Sequence, residues 1–588
     1  MGNLLNESNG TSTNNNERID NQEELPVKAK LNITGIEVEV ALRSMKTGKA
    51  AGKSGVVTEM LRAMGERGIN SLTELFNNVC ETATTPSDWQ TGIIIPIYKG
   101  KGDPLECNSY RPIKLLEHAM KVLERVLEQR LRKVIKIDDM QSGFMSGRST
   151  TDALFAARTI VEKHMEKKTE LWAAFVDLEK AYDRVPRKLV WWALKQQGID
   201  DQMIQAVKTL YDASKSMVCI DTMNGKKYGK EFDVKVGVHQ GSVLSPLLFI
   251  TVMEEVTKQV RRGAPWELLF ADDLAIFATD KRELDEQLAK WRKALEEAGM
   301  KVNVGKTKSM KFSKDAEGHV ETGRFPCGVC GKGVGVNSIL CTKCNKWVHG
   351  KCSGLKKGAM GTTKAFTCKS CSAGKIKTAE SEKGEYEVVN QFCYLGNVLE
   401  TTGGVAAAAR ARVQRAWANW KNMTALLLHK KLSLKLKGWI YKVVVRSAML
   451  YGVETWPMTK ETAERLEGTQ MRMLRWMAGV SLEERRTSES IRKLFGVEPI
   501  EKVARQMRLR WFGHTERRAK EHITQKCQQI EVEGSRPRGR PKATWISTVQ
   551  QDLKIVGARK EEAKVRKLWR KMIAMSGLTS GSSGKNSP

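Results

Sequence analysis

The pattern of apolar and polar positions predicts alternating helices and strands over the first half of the chain. Apolar residues recur at helical spacing in 36–64 and 69–82, and residues 92–98 form a short apolar run before a Lys/Gly turn. Further helices are predicted over 115–137, 151–167, 187–197 and 201–210, and further strands over 171–178, 216–221 and 232–236. A Gly- and Pro-punctuated helix start follows at 241–246. We therefore expect an α+β fold.

Three features distinguish the second half. A hairpin is predicted around 271–273, with apolar arms at 268–270 and 274–278. Residues 327–371 form a Gly- and Cys-rich island, and 406–518 has an almost entirely helical pattern. The helical part contains Trp417, Trp420, Trp439, Trp456, Trp476 and Trp511. A helix-bundle core explains these indoles better than a row of base-stacking platforms.

Charge narrows the possible partners. The 588 residues carry 99 Lys and Arg against 67 Asp and Glu, a formal net charge of +32. Such a surface attracts polyanions through counterion release, so nucleic acid is the expected partner, with a merely soluble basic protein as the alternative. No apolar run reaches the roughly 20 residues that span a bilayer, and the polar start has no signal-peptide pattern. We expect a protein that is not secreted, in the nucleus or the cytoplasm.

Acidic residues stand where two predicted strands end. Asp177 follows the run AAFV, and Asp272 and Asp273 lie in LLFADDLAIF. Polymerases that transfer nucleotides hold two divalent ions, and carboxylates are the hard oxygen ligands that Mg²⁺ prefers. Since adjacent carboxylates repel, a bound metal is one reason to keep both, and a simple Asp-Asp turn is the other.

Seven motifs occur in one order and together resemble the fingers and palm of reverse transcriptases from non-LTR (LINE-type) retrotransposons. They are SYRPIKLL (109–116), QSGFMSGRST (141–150), FVDLEKAYDRVP (175–186), GVHQGSVLSPLLF (237–249), FADD (270–273), GMKVNVGKTK (299–308) and FCYLG (392–396). The resemblance implies an RNA-directed DNA polymerase that uses an RNA template, a DNA primer, dNTPs and Mg²⁺ or Mn²⁺.

The resemblance also implies roles for individual residues. Asp177, Asp272 and Asp273 match the catalytic metal-binding triad, and Tyr182 matches the steric gate that excludes a 2′-hydroxyl. Nucleotide contacts are implied for Lys99, Arg111, Arg148, Gln240 and Gly241. Lys306 or Lys308 matches the lysine that protonates pyrophosphate, although either could be a solvated turn lysine. Residues 394–396 match the hairpin that steadies the primer end.

Some positions depart from known patterns. Phe270 stands where the family usually has Tyr, and Met145 stands where it often has Arg, which removes one phosphate contact. The segment 48–54 (GKAAGKS) suggests a phosphate-binding loop, but Thr47 occupies the position where GxxxxGK[ST] needs Gly.

The Cys-rich island has the spacing of a two-zinc site. The ligand series is Cys327, Cys330, Cys341, Cys344, His349, Cys352, Cys368 and Cys371. Histidine in fifth place resembles the plant homeodomain (PHD) finger, whereas a RING finger would have it fourth. The PHD resemblance implies that Cys327, Cys330, His349 and Cys352 hold one Zn²⁺ and the other four residues hold the second. A histone-tail reader, a nucleic-acid clamp and an inert folding unit all remain open as its role.

Two further expectations concern the C-terminal part. The sequence from Arg536 to Lys542 contains the RGRP core of an AT-hook, although a linker that touches phosphate fits better. His514 and His522, with Glu516 and Glu521, are expected on a solvated surface rather than in a nuclease. With no nuclease-sized segment before residue 92, we expect the chain to extend a supplied 3′-hydroxyl without nicking DNA.

The motifs divide the chain into expected regions: a disordered tail (1–30), reverse transcriptase fingers and palm (31–320), the zinc finger (325–373), a primer-grip hairpin, thumb and helical region (385–520), a basic segment (521–575) and a second disordered tail (576–588). An active polymerase is the first hypothesis. A catalytically silent remnant that binds chromatin or nucleic acid is the second, and a group II intron-type maturase is the third.

Overall fold

The computed structural model describes residues 31–313 except 101, residues 327, 329–330, 338–341, 347–355 and 366–368, and then 386–536 and 542–575. Four earlier expectations fall outside these residues: the two disordered tails, ligands Cys344 and Cys371, and the RGRP segment. Among the described residues, no helix is both long and apolar enough to cross a membrane.

The described strands group into four sheets. They are β1 (Thr91–Tyr98), β2 (Tyr110–Leu115), β3 (Leu171–Val176), β4 (Lys215–Thr222), β5 (Gly225–Tyr228), β6 (Phe232–Asp233), β7 (Glu267–Phe270), β8 (Asp273–Ala278), β9 (Lys308–Phe312), β10 (Ser338–Leu340), β11 (Trp347–His349), β12 (Glu387–Val388), β13 (Gln391–Tyr394) and β14 (Asn397–Glu400).

The helices lie between and after these strands. They are α1 (Gly35–Ser44), α2 (Thr58–Ala63), α3 (Gly65–Thr82), α4 (Ser87–Gln90), α5 (His118–Val134), α6 (Thr150–Lys167), α7 (Ala181–Arg184), α8 (Arg187–Gln196), α9 (Asp201–Thr209), α10 (Ser245–Thr257), α11 (Lys281–Glu297), α12 (Gly350–Ser353), α13 (Ala406–Asn422), α14 (Thr424–Leu427), α15 (Leu434–Ile440), α16 (Ser447–Met449), α17 (Lys460–Ala478), α18 (Ser488–Phe495), α19 (Ile500–Glu516), α20 (Ile523–Gln529), α21 (Trp545–Val556) and α22 (Arg566–Met575). A π-helical turn, Tyr441–Arg446, continues α15.

The central sheet has the strand order β12-β9-β3-β8-β7, with β3 antiparallel to both β8 and β9. All six residues of β3 are buried. Because side chains alternate across a strand, Trp172 and Ala174 face one hydrophobic core, whereas Ala173 and Phe175 face another that also contains residues of α6. This double burial explains why β3 reads as a continuous apolar run.

A second sheet has the order β2-β1-β4-β5, with β6 also paired to β4. Its strand β1 is antiparallel to β2 and parallel to β4. The segment after β4 leads to the loop at 237–244 that precedes α10. Backbone hydrogen bonds join this loop to β2, since the Lys114 N–H donates to the Gln240 carbonyl at 2.9 Å.

Two cores organise the helical second half. One lies among α13, α15, α17 and α18 and buries Trp420, Tyr441, Trp456 and Leu474. The other joins α6 to the C-terminal helices and contains Phe155, Trp511, Trp545 and Trp569. In this second core, α6, which belongs to the first half of the sequence, packs against apolar residues that lie between Leu509 and Ile573.

The pattern-based elements agree with this architecture in most places, but two predictions are wrong. The helix expected over 36–64 is split into α1 and α2 by a loop in which Gly48 and Gly55 have positive φ angles. That loop is fixed by tertiary contacts, because the Ser54 N–H donates to the Glu117 carboxylate at 2.8 Å. The strand expected over 232–236 shrinks to the two residues of β6.

The aromatic prediction for the helical region is partly confirmed. Trp420, Trp456 and Trp511 are buried, and Trp417 packs against the same core as Trp420. Trp439 and Trp476 are 57% and 55% exposed, so they are not core residues. Helical periodicity alone could not separate these two groups, because which side is covered depends on the neighbouring helices.

A glycine at a helix contact allows a stability test. A Cβ atom added to Gly438 in α15 would lie 2.0 Å from the Phe495 carbonyl oxygen at the end of α18. We therefore predict that Gly438→Ala destabilises the fold by about 1–3 kcal/mol through overpacking. Chemical denaturation followed by circular dichroism would measure the change.

Gly468 in α17 is the matched control, since an added Cβ would meet nothing within 4 Å. Gly468→Ala should leave stability unchanged or raise it by up to about 1 kcal/mol, as expected for alanine in a helix. Equal effects of the two substitutions would contradict the packing argument.

Candidate active site

Three carboxylates lie at the same end of the central sheet. Asp177 follows the last residue of β3, and Asp272 and Asp273 lie at the turn between β7 and β8. Val176 is paired with Leu274 across β3 and β8, so the antiparallel register places Asp177 beside Asp273. The two acidic segments, almost a hundred residues apart in sequence, therefore occupy adjacent strands.

The turn that carries Asp272 is supported by residues that the sequence reasoning did not single out. Ala271 has a φ of 59°, and its N–H donates to Gln141 Oε1 at 2.9 Å. The Gly143 N–H donates to the same oxygen at 2.8 Å. A Cβ on Gly143 would lie 2.3 Å from the Ala271 nitrogen, so only glycine permits this approach. The QSG of motif QSGFMSGRST thus has a structural role beneath the acidic turn.

The carboxylates repel one another in a partly desolvated setting. Desolvation, followed by the negative charges of Asp272 and Asp177, raises the pKa of Asp273 to about 6. Burial also raises the pKa of Asp272, and the charge of Asp177 adds to this increase. Such a cluster favours protons or a cation, because either one relieves the repulsion.

Lys306 faces this cluster, whereas Lys308 does not. Lys306 Nζ donates to Asp177 Oδ2 at 3.0 Å. Its loop is attached to the end of β3, since the Asn303 N–H donates to the Asp177 carbonyl at 2.8 Å. Lys308 Nζ instead bonds Glu387 Oε2 at 2.7 Å. The structure therefore distinguishes between two lysines that the motif left equivalent.

Tyr182, in α7, lies close enough to Asp272 for the charge of that carboxylate to act on it. Its ring stacks on Phe249 with 4.6 Å between centroids, and Phe144 approaches it edge-on. Burial, with a further contribution from the charge of Asp272, raises the pKa of the Tyr182 hydroxyl. Among the described residues this buried hydroxyl oxygen has no hydrogen-bond partner. The ring is thus fixed in position while its polar end remains unsatisfied.

The Gln240–Gly241 loop packs closely on β2. Gln240 Nε2 donates to Asp183 Oδ1 at 2.8 Å. Gly241 has a φ of 117°, and a Cβ there would lie 2.3 Å from the Lys114 carbonyl oxygen. Both the dihedral angle and the close approach require glycine at this position.

A buried polar network lies behind that loop, and the motif comparison gave no sign of it. Lys114 Nζ donates to Ser214 Oγ at 3.0 Å, and the same oxygen lies 2.8 Å from His239 Nε2. Burial, followed by the charge of Arg187, lowers the pKa of Lys114 to about 7. Burial likewise lowers the pKa of His239. Sequence spacing could not reveal this network, because the three residues come from separate strands and loops.

The three basic residues expected to contact phosphates differ in their surroundings. Arg111 is exposed on β2. Lys99 Nζ donates to the Asn108 carbonyl at 2.7 Å. Arg148 donates to the carbonyls of Asp139 and Gln141 at 2.7 and 2.9 Å and also bonds the Asp139 carboxylate. The Arg148 guanidinium therefore organises its own loop.

The β13–β14 hairpin forms a wall opposite the carboxylates. A cavity of about 300 Å³ is lined by Asp177, Asp273 and Lys306 on one side and by residues 392–396 on the other. Phe392 stacks on Phe175 of β3 with 4.3 Å between ring centroids. The segment FCYLG thus lies beside the acidic cluster, more than a hundred residues after it in sequence.

Four residues of the Cys-rich island form a compact cluster. One ligand atom from each of Cys327, Cys330, His349 and Cys352 lies within 4.8 Å of the others. His349 ends β11, and its N–H donates to Cys327 Sγ at 3.4 Å. Of the second predicted set, Cys341 and Cys368 are both buried, and the Cys368 N–H donates to Cys341 Sγ at 3.3 Å.

The two C-terminal histidines are not on an open surface, which corrects the sequence-based expectation for His522. His522 is 6% exposed, and its Nε2 lies 3.8 Å from Oδ1 of the buried Asp152 in α6. His514 Nε2 lies 3.7 Å from the same oxygen. Glu516 is close to Lys560, at 3.5 Å, whereas Glu521 is exposed. The histidines belong to the contact between α6 and the C-terminal helices.

The three acidic residues and Lys306 lie within a region of the chain that matches a known family. Residues 97–352 match the family described as reverse transcriptase (RNA-dependent DNA polymerase). The chain thus carries a reverse transcriptase domain, in agreement with the motif resemblance.

Known relatives extend the similarity beyond this domain. The RNA-directed DNA polymerase from mobile element jockey of Drosophila funebris is 25% identical over 466 residues, which cover 76% of this chain and 44% of that protein. The probable RNA-directed DNA polymerase from transposon BS of Drosophila melanogaster is 24% identical, over 77% of this chain and 46% of that protein.

A third relative is the Pol polyprotein from type-1 retrotransposable element R2 of Nasonia vitripennis. It is 25% identical over 276 residues, which cover 45% of this chain and 25% of that protein. The chain is therefore homologous to RNA-directed DNA polymerases of non-LTR retrotransposons, and the matched region spans less than half the length of these three relatives.

The raised pKa of Asp273 yields a test that needs no substrate. The pKa of an Asp carboxyl in the unfolded state is about 3.9. A carboxyl whose pKa is higher than this in the folded state stabilises the fold when the pH is below about 3.9, because the folded state binds the proton more tightly. That contribution is lost as the pH rises through about 6, the folded pKa of Asp273. We predict that Asp273→Asn raises the thermal midpoint in EDTA at pH 7.5 by about 2 °C.

The increase should shrink as the pH falls from 7 to 5, and scanning calorimetry across this range would measure it. Asp221→Asn, which changes an exposed carboxylate on β4, is the control and should not show this trend. A lower midpoint for Asp273→Asn at pH 7.5 would contradict the proposed repulsion.

Proposed function

We propose that this chain extends the 3′-hydroxyl of a DNA primer with dNTPs on an RNA template. The central support is the cluster of Asp177, Asp272 and Asp273, which lies inside a region that matches the reverse transcriptase family. The cavity beside it, walled by residues 392–396, offers a place for a primer end. The intact carboxylates favour this function over a silent remnant that only binds chromatin or nucleic acid.

The carboxylate cluster fits divalent cations. Burial, followed by the charge of neighbouring carboxylates, raises the pKa values of Asp272 and Asp273, and carboxylate oxygens are the ligands that Mg²⁺ and Mn²⁺ prefer. Asp177, Asp272 and Asp273 would hold the two ions. When bound, the ions would activate the primer hydroxyl and neutralise charge on the triphosphate.

The chain's own groups orient the substrates around this cluster. The Tyr182 ring, fixed between Phe249 and Phe144, is assigned the exclusion of a nucleotide 2′-hydroxyl. Lys306 balances the charge of Asp177, and we assign it the role of donating a proton to the pyrophosphate leaving group. The exposed Arg111 and nearby Lys99 suit the triphosphate, while Arg148 acts through the shape of its loop.

The loop at Gln240 and Gly241 is assigned to contact the template and the incoming nucleotide. It is supported by the Gln240 hydrogen bond to Asp183 and by the close packing of Gly241 on Lys114. The buried Lys114, Ser214 and His239 network underlies it. A rigid loop suits this task, because a nucleotide must be held in one orientation for in-line attack.

The Cys-rich island is proposed to bind zinc. Three thiols and one imidazole in a compact group are a donor set that suits tetrahedral Zn²⁺. Cys341 and Cys368, with Cys344 and Cys371, are assigned to a second ion in a PHD-type arrangement. The binding partner of the Cys-rich island, whether a histone tail or nucleic acid, stays a prediction.

Primer extension tests the catalytic assignment directly. With purified protein, a primed RNA template, dNTPs and Mg²⁺, we expect DNA synthesis, and we expect Asp272→Asn to reduce its rate by at least about a hundredfold, because metal stabilisation is lost. Asp221→Asn is the matched control and should extend primers at the wild-type rate. Extension by Asp272→Asn at the wild-type rate would remove the carboxylate from the mechanism.

Elemental analysis tests the metal sites of the island. We predict two zinc ions per chain, and the loss of one in Cys330→Ser, because that substitution removes a thiolate ligand. Cys219→Ser, at a buried cysteine of β4, should keep both ions. One ion or none in the wild-type protein would contradict the proposed pairing.

A further inference from the structure

The turn between β13 and β14 has an unusual backbone. Leu395 and Gly396 connect the paired residues Tyr394 and Asn397, and their φ angles are 44° and 76°. A positive φ is ordinary for glycine but unfavourable for a branched side chain such as leucine. Surrounding contacts must therefore hold Leu395 in this conformation.

Two side chains from the helical region bond the two carbonyls of this turn. The Tyr451 hydroxyl donates to the Leu395 carbonyl at 3.0 Å, and Arg412 donates to the Gly396 carbonyl. The two side chains also support each other, since the Arg412 guanidinium lies 4.3 Å above the centre of the Tyr451 ring. Both turn residues are thus held by one cation–π pair.

The β13–β14 hairpin is also connected to α6, both through Tyr451 and directly. The Tyr451 hydroxyl lies 3.1 Å from Thr150 Oγ1, at the first residue of α6. Arg158, one of the buried residues of α6, donates to Asn397 Oδ1 at 3.0 Å and to the Val398 carbonyl at 2.9 Å. The hairpin therefore takes its position from α6 and the helical region together.

Gly452, directly after Tyr451, makes this arrangement possible. It has a φ of 79°, and a Cβ there would lie 2.2 Å from Asn397 Nδ2. The backbone at 451–452 is thus pressed against the hairpin, which explains the glycine in the sequence YGVETW. A side chain larger than hydrogen fits at this contact only if the Asn397 side chain or the hairpin moves.

The turn is also the wall of the cavity that faces Asp177 and Asp273. A displacement of Leu395 or Gly396 would change the distance between that wall and the carboxylates. We propose that Tyr451 and Arg412 are positioning residues that set the turn so that a primer 3′ end is presented to the acidic cluster. This inference rests on the proposed polymerase function. It names Tyr451 and Arg412 as residues that help to position the primer.

If Tyr451 and Arg412 position the turn, their loss should affect primer–template and dNTP differently. The turn lies next to Asp177 and Asp273, whereas Tyr182 and Gln240, which are assigned to contact the incoming nucleotide, do not line this cavity. Loss of the Tyr451 hydrogen bond should therefore weaken the use of primer–template and leave dNTP binding unchanged. A purely structural role would lower the amount of folded protein and affect both substrates alike.

Steady-state primer extension with Tyr451→Phe tests this. The variant keeps the ring beneath Arg412 and loses only the hydroxyl. We expect kcat/KM for primer–template to fall about tenfold, the effect of losing one partly buried hydrogen bond, with the KM for dNTP within about twofold of wild type. Tyr441→Phe is the matched control, since its buried hydroxyl bonds Gln470 at 3.2 Å inside the helical core rather than the turn.

Arg412→Gln provides a second variant, because Arg412 is only partly buried and its loss does not empty a core. It should reproduce the primer-specific defect at an unchanged thermal midpoint. Wild-type primer use in both variants, or an equal defect in Tyr441→Phe, would overturn the positioning role. Wild-type protein without primer extension would instead overturn the proposed function, so the two failures are distinguishable.

Discussion

Repulsion among three carboxylates is the constraint around which the rest of the site is arranged. Asp177 and Asp273 stand side by side only because β3 and β8 are antiparallel neighbours with the Val176–Leu274 register. The raised pKa of Asp273 shows that the fold does not neutralise this charge itself. Lys306 balances part of it through Asp177. A sheet buried on both faces is what can hold such a cluster in place, since β3 cannot shift without disturbing two cores.

Helix α6 connects this site to the remainder of the chain. Its N-terminal residue lies next to the Arg148 loop, and its Asp152 faces His514 and His522 from the C-terminal region. Farther along, Glu162 accepts a hydrogen bond from the Trp545 N–H at 2.8 Å, and burial raises the pKa of Glu162 to about 7. The segments at 451–456 (YGVETW) and 510–514 (RWFGH) are therefore packed onto α6, within the region that matches reverse transcriptases. Their aromatic and histidine residues serve this contact.

Buried polar groups behind the substrate-facing loops have a different role from the exposed ones. Gln141 accepts two backbone N–H groups beneath the acidic turn, and Lys114 reaches Ser214 beneath the Gln240 loop. Burial of such groups is costly unless each is hydrogen-bonded, so a displaced loop would leave them unsatisfied. This makes the loops stiff without any contribution from the substrate, which suits a reaction that depends on orientation.

The sequence by itself was enough to single out candidate metal ligands and to predict much of the local structure. Asp272, Asp273 and the Cys/His series stood out because closely spaced residues of these types are typical of metal sites, and Asp177 stood out because it follows an apolar run and lies in a family motif. The strands at 92–98 and 171–178 and the hairpin arms at 268–270 and 274–278 were visible as apolar runs between turn signals. Tertiary structure alone decided which of Lys306 and Lys308 faces the acids, where the helix over 36–64 breaks, and that His522 and Tyr451 contact α6. These outcomes depend on contacts between residues far apart in sequence, whose energies exceed local propensity and leave no periodic pattern in the chain.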